Sequence, residues 1–124
     1  MNSITTADAP SAIGPYSQAI KTDQLVFVSG QLPIDPATGQ MPETIAEQTR
    51  QSLTNARAIL EATGTTMEKV VKTTVFLSDM NNFSAMNDVY GTFFKEGNYP
   101  ARSAVQVARL PKDALVEIEV IAER

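Results

Sequence analysis

Histidine and cysteine are both absent from the 124 residues, and these absences exclude much of enzyme chemistry. Without histidine there is no Ser-His-Asp or Cys-His arrangement, no imidazole general base and no common zinc site. Without cysteine there are no disulfides, no thiolate metal ligands and no thiol nucleophile. Any catalysis has to run on carboxylates, Arg, Lys, Tyr, hydroxyls and backbone groups. No apolar run is long enough to span a bilayer, and the opening MNSITTADAP has neither the basic region nor the apolar core of a signal peptide, so the expected location is cytoplasmic. The ten Lys and Arg are scattered along a chain of net charge −4, which works against phosphate backbones and makes nucleic acid a poor partner. The rest is ordinary for a folded protein: 43% hydrophobic and 19% charged residues, with 6 Gly and 7 Pro. One domain over residues 1–124 with one modest core is expected.

Two segments carry helical periodicity. TIAEQTRQSLTNARAILEATG opens with a possible capping box, Thr44 with Glu47. It then places Ala46, Thr49, Leu53, Ala56 and Leu60 at steps of three and four before stopping at Gly64. NNFSAMNDVYGTFFKEG has Asn82 as a cap and Phe83, Met86, Tyr90 and Phe93 on one face, ending near Gly97. Strands are read at YSQAIK, QLVFVSG, VVKTTVFLS, RSAVQVAR and ALVEIEVIA, rich in Val, Ile, Phe and Thr and bounded by turn residues. The order is β, β, α, β, α, β, β. Between them QLPIDPATGQMPE is a loop in which Asp35, Pro36 and Gly39 set backbone geometry. Two helices cover only one face of such a sheet, yet LVFV, TVFL and VEIEVIA carry apolar residues on both. The uncovered face therefore calls for a second copy of the chain.

The last 25 residues hold the charges that need explaining. Arg102, Ala104 and Gln106 share one face of their strand, and Glu117 and Glu119 share one face of the next. If these strands pair as a hairpin across Leu110-Pro111-Lys112-Asp113, Arg102, Gln106, Glu117 and Glu119 lie together. One reading is a partly solvated cross-strand ion pair of little energetic weight. The other is a site: Arg grips a carboxylate by two parallel hydrogen bonds, and a nearby Glu holds and polarises a water.

PARSAV, followed by Leu110-Pro111 and Glu117-Ile118-Glu119, resembles the C-terminal signature of the RidA (YjgF) family of reactive-intermediate deaminases. AIGPYSQAI, LVFVSGQLPIDPATG, QTRQSLTNARAILEATG, VVKTTVFLSDMNNF and MNDVY follow the same family's order, so the resemblance covers nearly the whole chain. It implies an α+β, chorismate-mutase-like fold, a mixed β-sheet with two helices packed on one face. It also implies a homotrimer with sites in the clefts between subunits. The implied activity is hydrolysis of reactive 2-imino acids to 2-oxo acids and ammonia, a form of metabolite damage control that uses no cofactor and no metal.

By resemblance, Arg102 holds the substrate carboxylate, Glu117 is the water-associated acid, and Tyr16 lines the site. Ser29 and Gly30 approach the ligand through their backbone, and Asn87 is a polar residue near the cleft. Each has a plainer reading as well: interface packing for Tyr16, a helix-surface amide for Asn87, a strand terminator for Gly30. Ala104 departs from the many relatives with cysteine there, and fits a role for that position's backbone carbonyl. Glu119 is expected to pair with an Arg or Lys at an interface. A trimer that binds small carboxylates without turnover, or acts like a chaperone, is the alternative function. Nucleic-acid cleavage, described for some relatives, fits the acidic, histidine-free chain poorly.

Overall fold

The computed structural model describes residues 1–124. Helix α1, Ile45–Thr63, begins where Thr44 adopts an extended backbone and its Oγ1 accepts the Glu47 N–H at 3.1 Å. It ends where Gly64, at φ 93°, takes the left-handed conformation and returns its N–H to the Leu60 and Glu61 carbonyls. Its inner face buries Thr49, Leu53, Ala56 and Leu60 of the periodic residues, with Ala46 in the first turn only half-buried, together with Ile59 and the amides of Gln48 and Asn55.

The strands are β1 (Asn2–Ile4), β2 (Ala19–Lys21), β3 (Leu25–Gln31), β4 (Val70–Leu77), β5 (Ala101–Gln106) and β6 (Val116–Glu123). They form one mixed sheet in the order β1-β2-β3-β6-β4-β5. Every neighbouring pair is antiparallel except β4 and β5, which run parallel. Helix α2, Phe83–Tyr90, lies in the connection between these two, as a parallel pair requires. Val26, Val28, Val75, Leu77, Val116, Ile118 and Val120 point to the helices and build the core with Leu53, Ile59, Leu60, Met86 and Tyr90. The opposite face stays open. Phe27 and Val105 are each 42% exposed, and Thr74, Phe76, Glu117, Glu119 and Ile121 share that face by register. The two-sided apolar pattern of the strands thus appears as an uncovered sheet face.

Several expectations change. Strands β5 and β6 do not form a hairpin, because β4 lies between them and pairs with both. Arg102 is in register with buried Thr73, on the helix side, whereas Glu117 is opposite Phe76 on the open side. The two charges therefore occupy opposite faces of one sheet. Helix α2 ends at Tyr90, seven residues before Gly97, and a short 3-10 turn at Gly91–Phe93 leads the chain away. Asn82 holds the cap position but makes no side-chain cap bond; Asp79 Oδ1 accepts the Asn81 N–H at 2.9 Å just before it. The first expected strand starts only at Ala19, since the chain bends at residues 14–16 and again at Gln18, and the three-residue β1 is an addition to the expected strands.

Candidate active site

Arg102 leaves edge strand β5 toward α2, where its Nη1 donates to Asn87 Oδ1 at 2.6 Å. Its guanidinium lies 4.7 Å from the Tyr90 ring centroid and 5.4 Å from that of Phe83, so two π faces stabilise the cation. Burial pushes the Tyr90 phenol up, against the hydrogen bond to Thr73 and the Arg102 charge, which keeps that ring neutral. Thr73 and Tyr90 share a 2.7 Å hydroxyl contact that locks the ring. No carboxylate of the chain neutralises Arg102, because the one ion pair is the exposed Arg109–Asp113 pair at 2.7 Å. The cross-strand ion pair is therefore excluded. A cleft of about 450 Å³ opens beside Arg102, walled by Asn87, Tyr90, Gly91, Tyr99 and Pro100.

Backbone groups extend this half of the site. The Val107 N–H donates to the Leu77 carbonyl at 2.9 Å, which sets the alternation along the parallel pair. Ala101, Ser103 and Val105 turn their N–H and C=O toward β4, so those of Arg102, Ala104 and Gln106 face the free edge. Ala104 accordingly keeps its methyl against the core and its carbonyl outward. Gln106 is occupied elsewhere, its Oε1 accepting the Met80 N–H at 2.7 Å.

The second half forms on the open face. Between Val28 and Gln31 the register of β3 slips against β6, so that Ser29 and Gly30 together face the single residue Glu119. This bulge brings the Gly30 backbone against the Glu117 side chain. A Cβ at position 30 would stand 2.9 Å from Glu117 Cδ and 3.1 Å from Oε2, so glycine is needed here for close approach. Ser29 Oγ donates to the Ser17 carbonyl at 2.6 Å and thereby ties down the stretch carrying Tyr16, which is 49% exposed. Tyr16, Ser29, Gly30, Phe76, Glu117 and Glu119 line an open cleft of about 760 Å³, together with Ile34, Asp35 and Lys112 from the loops. Burial raises the Glu117 carboxyl above the usual carboxylate range, and neighbouring Glu119 adds to it. Neither Glu117 nor Glu119 has a cationic partner within the chain. No three His, Cys, Asp or Glu side chains converge as metal ligands.

The residues singled out from the sequence thus fall into two groups: Arg102, Asn87 and Ala104 at the β5 edge, and Tyr16, Ser29, Gly30 and Glu117 on the open face. Phe83, Tyr90 and Thr73, which hold Arg102, were not among them. The helical spacing of Phe83 and Tyr90 to Asn87, four back and three on, was the available signal, and it read as core.

Residues 6–124 match the Endoribonuclease L-PSP family. The chain belongs to that family. A RutC family protein of Haemophilus influenzae is 56% identical over 124 residues, which cover 98% of this chain and 95% of that one. The 2-iminobutanoate/2-iminopropanoate deaminase of Escherichia coli is 51% identical over 123 residues, covering 98% and 96%. Among solved structures, E. coli TdcF with bound serine matches at a TM-score of 0.95 and 46% identity over 100% of this chain and 99% of that one. The α+β fold expected from the resemblance, a mixed sheet with two helices on one face, is the fold of this L-PSP (RidA) family chain.

Proposed function

We propose that this chain hydrolyses 2-imino acids to 2-oxo acids and ammonia in a cytoplasmic homotrimer whose sites lie between subunits. One observation carries the reading. Arg102 and Glu117 are both uncompensated, yet they stand on opposite faces of the same sheet, so a substrate of a few atoms cannot touch both in one subunit. An edge patch on one copy meeting an open-face patch on another makes a head-to-tail interface, the kind that forms a ring when the rotation between copies closes. Three is the ring size that the family resemblance implies. The E. coli relative is named for the imines it deaminates, and TdcF was solved with an amino acid bound. No helix is long and apolar enough to cross a membrane.

In such a cleft Arg102, oriented by Asn87, takes the substrate carboxylate through two parallel hydrogen bonds and so fixes C2. A water held between Glu117 and the outward carbonyl of Ala104 stands over C2. As its oxygen bonds to C2, the C=N π electrons pass to nitrogen and Glu117 takes the water's proton. The tetrahedral carbinolamine then collapses: Glu117 returns the proton to the amino nitrogen, the C–N bond breaks as C2=O forms, and the freed Glu117 carboxylate takes the hydroxyl proton and passes it to the ammonia, which leaves as ammonium. A carboxyl raised above the usual range suits this two-way transfer. The protonated imine carbon is already electrophilic, so positioning is the protein's main contribution. RNA fits this geometry worse, because Glu117, Glu119 and Asp35 face into the cavity and repel phosphodiesters.

The test generates 2-iminobutanoate and 2-iminopropanoate in situ and follows 2-oxo acid release with and without the protein. Binding without acceleration would leave only the carboxylate-binding alternative. For the shared cleft, Arg102→Ala and Glu117→Gln chains are co-expressed. Each alone is inactive, whereas three-quarters of random trimers are mixed and carry one intact cleft in three, so about a quarter of wild-type activity returns. No recovery would place both residues in one subunit's site and overturn the shared cleft.

A further inference from the structure

Beyond the strand residues that floor it, the cavity around Glu117 is walled by loop segments, and the chain has no disulfide to hold them. Buried side-chain amides do so instead. Asn55, fully buried on α1, donates through Nδ2 to the carbonyls of Leu32 at 3.1 Å and Ile34 at 2.9 Å. Its own Oδ1 accepts from Gln51 Nε2 at 2.9 Å, which leaves the amide one orientation. Two turns earlier on the same face, Gln48 accepts the Leu115 N–H on Oε1 at 2.8 Å and donates from Nε2 to the Pro42 carbonyl at 2.8 Å. Leu32 lies two residues after Gly30, and Leu115 lies two residues before Glu117. Helix α1 therefore grips the chain next to both partners of the Gly30–Glu117 approach, where even a Cβ on residue 30 would crowd the carboxylate.

We infer that Asn55 and Gln48 are positioning residues for the reaction: through Leu32, Ile34 and Leu115 they set the Gly30–Glu117 contact and hence where the Glu117 carboxylate stands. The inference rests on the assignment of water activation to Glu117. Burial alone explains why these amides are paired, since an unpaired buried amide is costly. Their choice of partners, flanking one contact from both strands, is what ties them to the site.

The experiment compares Asn55→Leu, Gln48→Leu and a control, Ile59→Val, which trims the same buried face without touching either loop. Each variant is measured for thermal midpoint, kcat, KM and the carbon-13 titration of the Glu117 carboxyl. Glu119 on β6, Asp35 and Lys112 in the loops, and Tyr16 face that carboxyl, and all stay unchanged. For the two amide variants kcat falls about ten- to a hundredfold, with KM within about twofold because the Arg102 half is intact. The Glu117 titration midpoint drops toward the ordinary value as the loosened wall admits water, and the control changes neither. If both amide variants lose thermal stability yet keep the wild-type kcat and titration, the amides are only structural and the inference fails. Should Asn55→Leu not fold, Gln48→Leu, near the helix start, decides alone. Should the wild type show no imine hydrolysis, the function assignment fails while the titration still decides whether these amides set the Glu117 environment.

Discussion

Gly30→Ala tests the seat of Glu117 with a single methyl group. Gly30 is not among the glycines at positive φ, so alanine fits its backbone, and loss of freedom in the unfolded chain contributes about 0.4–1 kcal/mol in favour of the variant. The cost falls on one neighbour. The new Cβ would stand 2.9 Å from Glu117 Cδ, whereas unstrained carbon contacts begin at about 3.5 Å, so the carboxylate must retreat by roughly 0.6 Å or more. A half-buried, flexible side chain gives way cheaply, and the thermal midpoint should stay within a few degrees of wild type. The reaction is less forgiving, because a misplacement of about 1 Å costs on the order of a hundredfold, or about 2.7 kcal/mol at the transition state. The assay is steady-state release of 2-oxobutanoate from 2-iminobutanoate made in situ, beside a melting curve and light scattering of the same sample. A folded, assembled Gly30→Ala protein working within about threefold of wild type would refute the claim that the Gly30–Glu117 approach sets the catalytic geometry.

Three further outcomes are expected. Arg102→Ala should lower kcat/KM by at least about 30-fold, the equivalent of roughly 2 kcal/mol for a lost charged clamp, with Arg102→Lys nearly as damaging and the assembly intact; a mild effect of either would remove Arg102 from the site. Glu117→Gln should abolish turnover yet raise the melting point at neutral pH. A carboxyl whose folded value is raised stabilises fully only below its unfolded value and loses that contribution as pH rises through the folded one. The advantage of the glutamine should therefore vanish near about pH 4, and a melting difference independent of pH would contradict it. Ser52, whose buried hydroxyl has no hydrogen-bond partner, should tolerate alanine with a change between zero and about 1 kcal/mol of added stability, read from chemical denaturation; a clear loss would mean the hydroxyl is bonded after all.

Local features were legible in the sequence because their causes are local. The Thr44 cap, the Gly64 stop and the buried stripe of α1 follow from residues within a few positions of one another, and so does the alternation within each strand. Pairing is a different matter. Leu110-Pro111-Lys112-Asp113 does turn the chain, with Lys112 and Asp113 both at φ 56°, but β6 is carried past β5 to the far side of β4. The inserted strand is decided by long-range burial of Val116, Ile118 and Val120 in the sheet centre, which no short window contains. Since side chains alternate, that one pairing also decides which face each charge takes, so Arg102 and Glu117, expected side by side, stand on opposite faces. The Gly30 bulge was invisible for a similar reason: glycine in a strand signals close approach, but Glu117, 87 positions away, is what approaches.

The outward-facing peptide groups of β5 matter before the protein ever meets a substrate. A single subunit presents, along the six residues of β5, the outward backbone donors and acceptors of Arg102, Ala104 and Gln106 at one border, beside an oily sheet surface bearing Phe27 and Val105. Such a border invites any extended peptide to add on. Arg102, Ser103 and Gln106 make this border an unattractive template for strangers, since their polar heads would be trapped in a fibril-like stack. In the assembly proposed above, sister subunits would complete the cleft and cover this border in the same step, so a subunit that stays single keeps the border exposed.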